Sequence, residues 1–274
     1  MHTQATGEYW NRGGSLVHTD PLGTRDAEIP ENVRLYTFGG AQHGPAADPP
    51  TRGLGDNRHN PADYRPQLKA LLDALDAWAR GEAEPPPSAY PRIADGTLVD
   101  FSQSSTGFPA LPGVRYPEVI QRPQYRDYGP EFDSRGIVSI EPPTPLADYV
   151  VLVPRCGKDG NEFGALNSPE VAVPVATFTG WNLRRAEVGA EGMLELLMGS
   201  YLPFPQTRAD REKLGDPRLS LEERYGSFEE YCRQFAAACD KLVRERYLLP
   251  EDAERLNRGR ETLRPLFKFD AKSE

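Results

Sequence analysis

Twenty-seven prolines in a chain of 274 residues limit what this sequence can build. Each proline fixes φ and removes a backbone donor, so it ends helices and is excluded from central strands. A hydrophobic fraction of 38% and a mean hydropathy of −0.61 point the same way, towards a loop-rich protein with much irregular surface. The length still allows one large or two modest domains with a sizeable core.

A net charge of −9 without a basic run excludes a nucleic-acid or anionic-membrane surface, which needs concentrated Lys and Arg. The longest apolar stretches, such as Tyr149 to Val153, fall far short of the roughly 20 residues that span a bilayer. Met1 to Trp10 has neither a positive nor an apolar region of the kind that makes a signal peptide. Cys156, Cys232 and Cys239 form no CxxC pair, and an odd number suits reduced thiols. The expectation is a soluble, cytoplasmic chain, with Cys232 and Cys239 packing a helix.

Residues 8–20 predict a short helix ending before Pro21, and Pro21, Gly23 and Pro30 mark a loop. Val33 to Phe38 alternates like a strand and stops at Gly39-Gly40. Beyond a loop from His43 to Pro61, Leu68, Leu71, Leu72, Leu75 and Trp78 predict a helix over Tyr64 to Arg80. Glu84 to Pro87 ends it, and the next sixty residues read as extended surface connections. A short strand pair is expected near 149–178, from Tyr149 to Pro154 and from Val171 to Phe178, with Pro174 placing the second strand at an edge. Helices are expected from about 190: Glu191 to Met198, a capping box at Ser220-Leu221-Glu222-Glu223, Phe228 to Tyr247, and a last one from Pro250.

One histidine stands where chemistry concentrates. His43 lies just past the Val33–Phe38 strand, in Gly39-Gly40-Ala41-Gln42-His43-Gly44, and loops on strand ends carry catalytic groups disproportionately. Around it the sequence resembles a family of large bacterial α/β-hydrolase domain proteins. The resemblance runs through Glu8-Tyr9-Trp10, Leu16-Val17-His18-Thr19-Asp20, Val33-Arg34-Leu35-Tyr36 and Gly40-Ala41-Gln42-His43. It continues in Pro66-Gln67-Leu68, Leu75-Asp76-Ala77-Trp78, Leu152-Val153-Pro154, Asp159-Gly160-Asn161-Glu162, Val173-Pro174 and Thr179-Gly180-Trp181-Asn182. Gly215-Asp216-Pro217-Arg218 and Leu221-Glu222-Glu223-Arg224-Tyr225 complete it.

That resemblance implies an α/β fold: residues 1–82 as the carboxyl-terminal part of a hydrolase core, and 83–274 as an appended, partly helical region containing the strand pair. It also implies an order of nucleophile, acid and histidine along the chain. His43 takes the last place and Glu8 the acid's, with Asp20 and Asp26 as alternatives. The implied reaction is ester-type acyl hydrolysis of a small ester-like substrate through an acyl-serine, with no cofactor.

The nucleophile departs from the pattern. A nucleophile elbow needs Gly-x-Ser-x-Gly, and the contexts of Ser15, Ser104, Ser105 and Ser200 lack it. The expectation is therefore the carboxyl-terminal portion of a longer hydrolase, inactive alone and completed by an amino-terminal half or a partner chain. Two other classes stand beside it. A non-catalytic interaction module would use the open edges of a partial sheet to pair with another chain. A metal site would use His2, His18, His43 and His59 with Asp20 and Asp56, but their spacing places no two ligands on one helix face, so no metal is expected. Trp181 and Arg184, the latter beside Arg185, are candidates for substrate contact, and Asp159-Gly160-Asn161 reads as a hairpin turn more readily than as a calcium loop.

Overall fold

Leu35 to Gly39 is buried at all five positions, which requires cover on both faces of the strand. In the computed structural model, which describes residues 1–47 and 49–270, this strand is the second of the chain. The order begins β1 (His2–Ala5), α1 (Gly7–Arg12), a 3₁₀ turn over Gly14–Val17, and β2 (Leu35–Gly39). It continues with β3 (Arg58–His59), α2 (Arg65–Ala79), β4 (Leu98–Val99), α3 (Gln103–Thr106), β5 (Gln124–Asp127), α4 (Phe132–Arg135), β6 (Thr144–Asp148) and β7 (Val153–Pro154). β8 (Leu166–Asn167), α5 (Pro169–Ala172), β9 (Ala176–Phe178) and β10 (Ser200–Pro203) precede the helices α6 (Arg208–Leu214), α7 (Leu221–Tyr225), α8 (Phe228–Arg244) and α9 (Pro250–Gly259). Among the described residues no helix is long and apolar enough to cross a membrane.

β2 is the centre of a parallel sheet in the order β1-β2-β8. His2 pairs with Leu35 and Ala5 with Phe38 on one side, and Phe38 with Leu166 on the other. Strand alternation then sorts its side chains. Tyr36 and Phe38 join Leu71 of α2, Leu166, and Phe228, Tyr231 and Phe235 of α8 in one core cluster. That core draws on both sides of residue 82. Thr37 points the other way, to the Tyr9 hydroxyl at 3.0 Å, and Tyr9 and Trp10 belong to a second cluster with Phe108, Val153 and Trp181.

Several local expectations change. The segment 8–20 is not one helix, because Gly13 takes the left-handed conformation at φ 64 and caps α1. The stretches 149–154 and 171–178 do not pair. Val153 pairs with Val99, residues 169–172 turn helical behind Pro169, and β9 pairs with β10 in an antiparallel sheet ordered β3-β10-β9. Proline in a first helical turn loses no hydrogen bond there, which explains why Pro169 starts α5. Glu191 to Met198 is not helical: Gly192 and Leu197 have positive φ, and Met193 and Leu196 are 49% and 59% exposed, so its apolar residues present no buried stripe. In α2 the buried stripe is Gln67, Ala70, Leu71 and Ala74, while Leu68 and Leu72 face solvent. The stretch after Pro87 is not all irregular: β5 pairs with β6 antiparallel, and β4 pairs with β7 just beyond it. The three thiols are free, Cys156 and Cys239 within the core.

A buried polar chain ties α1 to β2: His18 Nε2 lies 2.7 Å from the Tyr9 hydroxyl, which reaches Thr37 Oγ1. His18 is almost fully enclosed, and burial pushes its pKa down to about 4. A depressed histidine pKa means that the unfolded chain binds the proton first, so this contribution is complete above about 6.5 and is lost as pH falls through about 4. We expect the unfolding free energy in urea to drop between pH 7 and 4.5 by about 2–3 kcal/mol more in the parent than in His18→Gln. Equal pH dependence in the two proteins would contradict this.

Candidate active site

Parallel strands release their chains at the same end of a sheet, and here the two exits are stitched together. Thr6 N donates to Phe38 O at 3.0 Å and Gly7 N to Ala41 O at 2.9 Å. Ala41 N donates to the Thr6 hydroxyl at 3.1 Å. Glu8, in the first turn of α1, and His43, beyond β2, are thereby neighbours, and His43 Nδ1 is hydrogen-bonded to Glu8 Oε1. The other carboxylate oxygen accepts from Ala5 N at 2.8 Å, which locks the acid to the end of β1. The Glu8 side chain is 18% exposed and that of His43 is 62% exposed. The acid is sheltered while the ring remains open to a reactant.

The loop that holds His43 is braced at nearly every residue. Gly40 turns the chain at φ 56, and a Cβ there would stand 3.1 Å from Phe178 O and from Val171 Cγ1. Its carbonyl accepts from Asn60 Nδ2 at 2.7 Å, and the same amide group donates to Thr179 O at 2.9 Å. Gln42 is buried; its Oε1 accepts from Asn60 N and Gly199 N at 3.1 and 2.9 Å, and its Nε2 donates to Gly44 O at 2.6 Å. His43 N donates to Leu197 O at 3.3 Å, and the hydroxyl of Tyr64, whose ring stacks on Phe38, donates to His43 O. Beneath the loop, Gly40 N donates to Glu162 Oε2 at 2.9 Å. Burial pushes the Glu162 carboxyl up to about 7, against the hydrogen bonds that favour its ionised form.

The other candidate residues lie elsewhere. Asp20 closes its own turn, accepting from Thr24 N and Arg25 N at 2.7 and 2.9 Å; these backbone donors hold its carboxyl below the usual carboxylate range. Asp26 accepts from Ile93 N and Ala94 N at 2.9 and 3.0 Å, pinning one loop to another. Trp181 is enclosed by Trp10, Phe108 and Tyr116, with ring centroids 5.3 to 5.9 Å away. Arg184 clasps its own loop through Gly189 O and Val188 O, both at 2.9 Å, and Arg185 lies 3.7 Å from Glu187. The remaining histidines do not gather at one point: His18 is with Tyr9, and His59 pairs with the buried Glu195 at 2.9 Å. Asp56 pairs with Arg115 at 2.6 Å. Among the described residues no three His, Cys, Asp or Glu side chains converge as a metal set.

No local sequence signal marks Asn60, Gln42 or Glu162 as site residues. Asn60 sits in a Pro-, Gly- and Asn-rich loop and Glu162 in a turn motif, and neither pattern reveals that its partner is Gly40, 20 and 122 residues away. The glycine pair after a strand was the only local sign that the loop needed an unusual backbone.

The sequence profile of a family described as "Alpha/beta hydrolase domain" matches residues 9–258. No curated protein and no solved structure matches the chain.

Replacing Asn60 by Ala would strip two buried carbonyls, Gly40 O and Thr179 O, of their donor. Chemical denaturation of Asn60→Ala is expected to show a loss of about 2–4 kcal/mol, since each orphaned buried group costs about 1–3. A loss below about 1 kcal/mol would show that the brace is dispensable.

Proposed function

Given that the chain belongs to the alpha/beta hydrolase domain family, we propose that Glu8 and His43 serve as the acid and the general base in hydrolysis of an ester-type acyl bond. The observation that carries this reading is the Glu8–His43 hydrogen bond across the ends of two adjacent parallel strands. The carboxylate accepts from Nδ1–H, selecting the tautomer in which Nε2 is free to take a proton, and stabilises the imidazolium that forms.

In the first half of the reaction a serine oxygen bonds to the ester carbonyl carbon as its proton passes to His43 Nε2. The ester C–O bond then breaks, and the alcohol leaves with that proton. In the second half, water gives a proton to His43 and its oxygen to the acyl carbon, and the serine oxygen departs with the proton as the acid is released. No serine of this chain stands in Gly-x-Ser-x-Gly, so we assign the nucleophile to a segment or partner outside these 274 residues.

A second reading, an interaction module that pairs with another chain, draws on β1. Among the described residues β1 pairs with β2 alone, and a further strand can bond to its other edge at the exposed Thr3, the Ala5 amide being held by Glu8. The two readings converge if that added strand belongs to the segment that supplies the serine.

The chain alone is expected to leave aryl esters unhydrolysed and to show no fluorophosphonate-labelled serine by peptide mass spectrometry. A labelled serine mapped to this chain would refute the assignment of the nucleophile. In a preparation that contains the serine-bearing segment, His43→Ala is expected to lower kcat/KM by about 10²–10⁴. Turnover within about tenfold of the parent would exclude His43 as the base.

A further inference from the structure

Glu162 is a carboxylic acid in a place that disfavours one. It is 3% exposed, Thr6 and Trp10 lie beside its carboxyl, and no cation is among the groups that act on it. A buried carboxyl without a cationic partner is expensive to keep, and an apolar residue would fill the space at lower cost. What the carboxyl does is specific. It accepts the amide proton of Gly40 at 2.9 Å, the residue whose positive φ turns the chain from β2 into the His43 loop. Its neighbours Thr6 and Trp10 flank Glu8 on the acid's turn. Its own backbone is fixed from two sides, by the bridge to Cys156 and by Asn167 Nδ2 on its carbonyl at 3.2 Å.

We infer that Glu162 is a positioning residue for the Glu8–His43 pair, an inference that rests on the hydrolase reading above: its side chain holds the root of the base-bearing loop against the acid-bearing turn. It touches neither Glu8 nor His43 in any hydrogen bond among the described residues, and it acts through Gly40. A residue with a merely space-filling role would leave the tautomer of His43 unchanged when its reach is altered. A positioning residue would not, because the imidazole keeps its proton on Nδ1 only while that nitrogen faces the Glu8 carboxylate.

The test is long-range ¹H–¹⁵N correlation of the histidine rings in the 274-residue chain at pH 8.5, where ordinary imidazoles are neutral and Glu162, raised to about 7, is ionised. His43 is assigned from the signals missing in His43→Asn. The parent is expected to show His43 mainly as the Nδ1–H tautomer, and Glu8→Ala mainly as Nε2–H. Glu162→Asp, which withdraws the carboxylate by one methylene, is expected to lower the Nδ1–H fraction at least twofold and to move the Gly40 amide proton upfield. Glu162→Gln, which keeps both length and an acceptor oxygen, is expected to restore the parental pattern. Both variants keep a polar group in the site, and a dispersed amide spectrum checks that each is folded. An Asp variant with the parental tautomer and a displaced Gly40 amide would overturn the inference, as would a Gln variant that restores nothing. A parent indistinguishable from Glu8→Ala would instead strike at the Glu8–His43 pairing itself, and the inference would fall with it.

Discussion

Parallel pairing of β1 with β2 places two chain exits side by side at one end of the sheet, and the hydrogen bonds from Thr6 and Gly7 to the β2 side close the gap between them. Antiparallel partners would have put the exits at opposite ends. The pairing is affordable because β2 is covered on both faces, by the α2 and α8 aromatic cluster below and by the Tyr9–Trp10 cluster above. Glu8 and His43 meet as a consequence of that sandwich.

The His43 loop has no regular structure, yet hydrogen bonds from outside it reach Gly40, Gln42 and His43. Asn60 satisfies the carbonyl of the left-handed Gly40, the Gln42 side chain accepts from the amides of Asn60 and Gly199, and Tyr64 and Leu197 fix the histidine's own peptide groups. Buried polar networks of this kind are stabilising only when every member has its partner. The arrangement makes a loop rigid where catalysis by positioning would require rigidity, while leaving the imidazole open to solvent on its outer side.

How much of this was legible in the sequence follows from the range of each interaction. The β2 strand, the α2 helix, the Ser220 capping box and α8 are written in short periodic patterns and were readable with small boundary shifts. His43 was conspicuous because a glycine pair after a strand is a local signal. Its association with Glu8 came from the order of parts in a resembling family, since no spacing rule links residues 35 apart. The partners of β7 and β8 lie far away in sequence, at β4 and β2, and β9 pairs with the next strand, β10, across an irregular loop; alternation tells which residues are buried but not against what. The 191–198 segment misled for the opposite reason. Its leucines fit a helix locally, but Leu194 packs against the second core cluster while Leu196 faces solvent, and backbone turns of positive φ take over at Ala190, Gly192 and Leu197.

The central claim is that the β1–β2 pairing delivers the Glu8 carboxylate to His43 Nδ1. A crystal structure at a resolution that separates the ring atoms tests it directly. The account predicts a Glu8 oxygen within about 3 Å of His43 Nδ1, in line with the ring, with Ala5 N still bonded to the other oxygen. A His43 ring turned away so that no Glu8 oxygen lies within about 4 Å, with β1 and β2 paired as described, would contradict it.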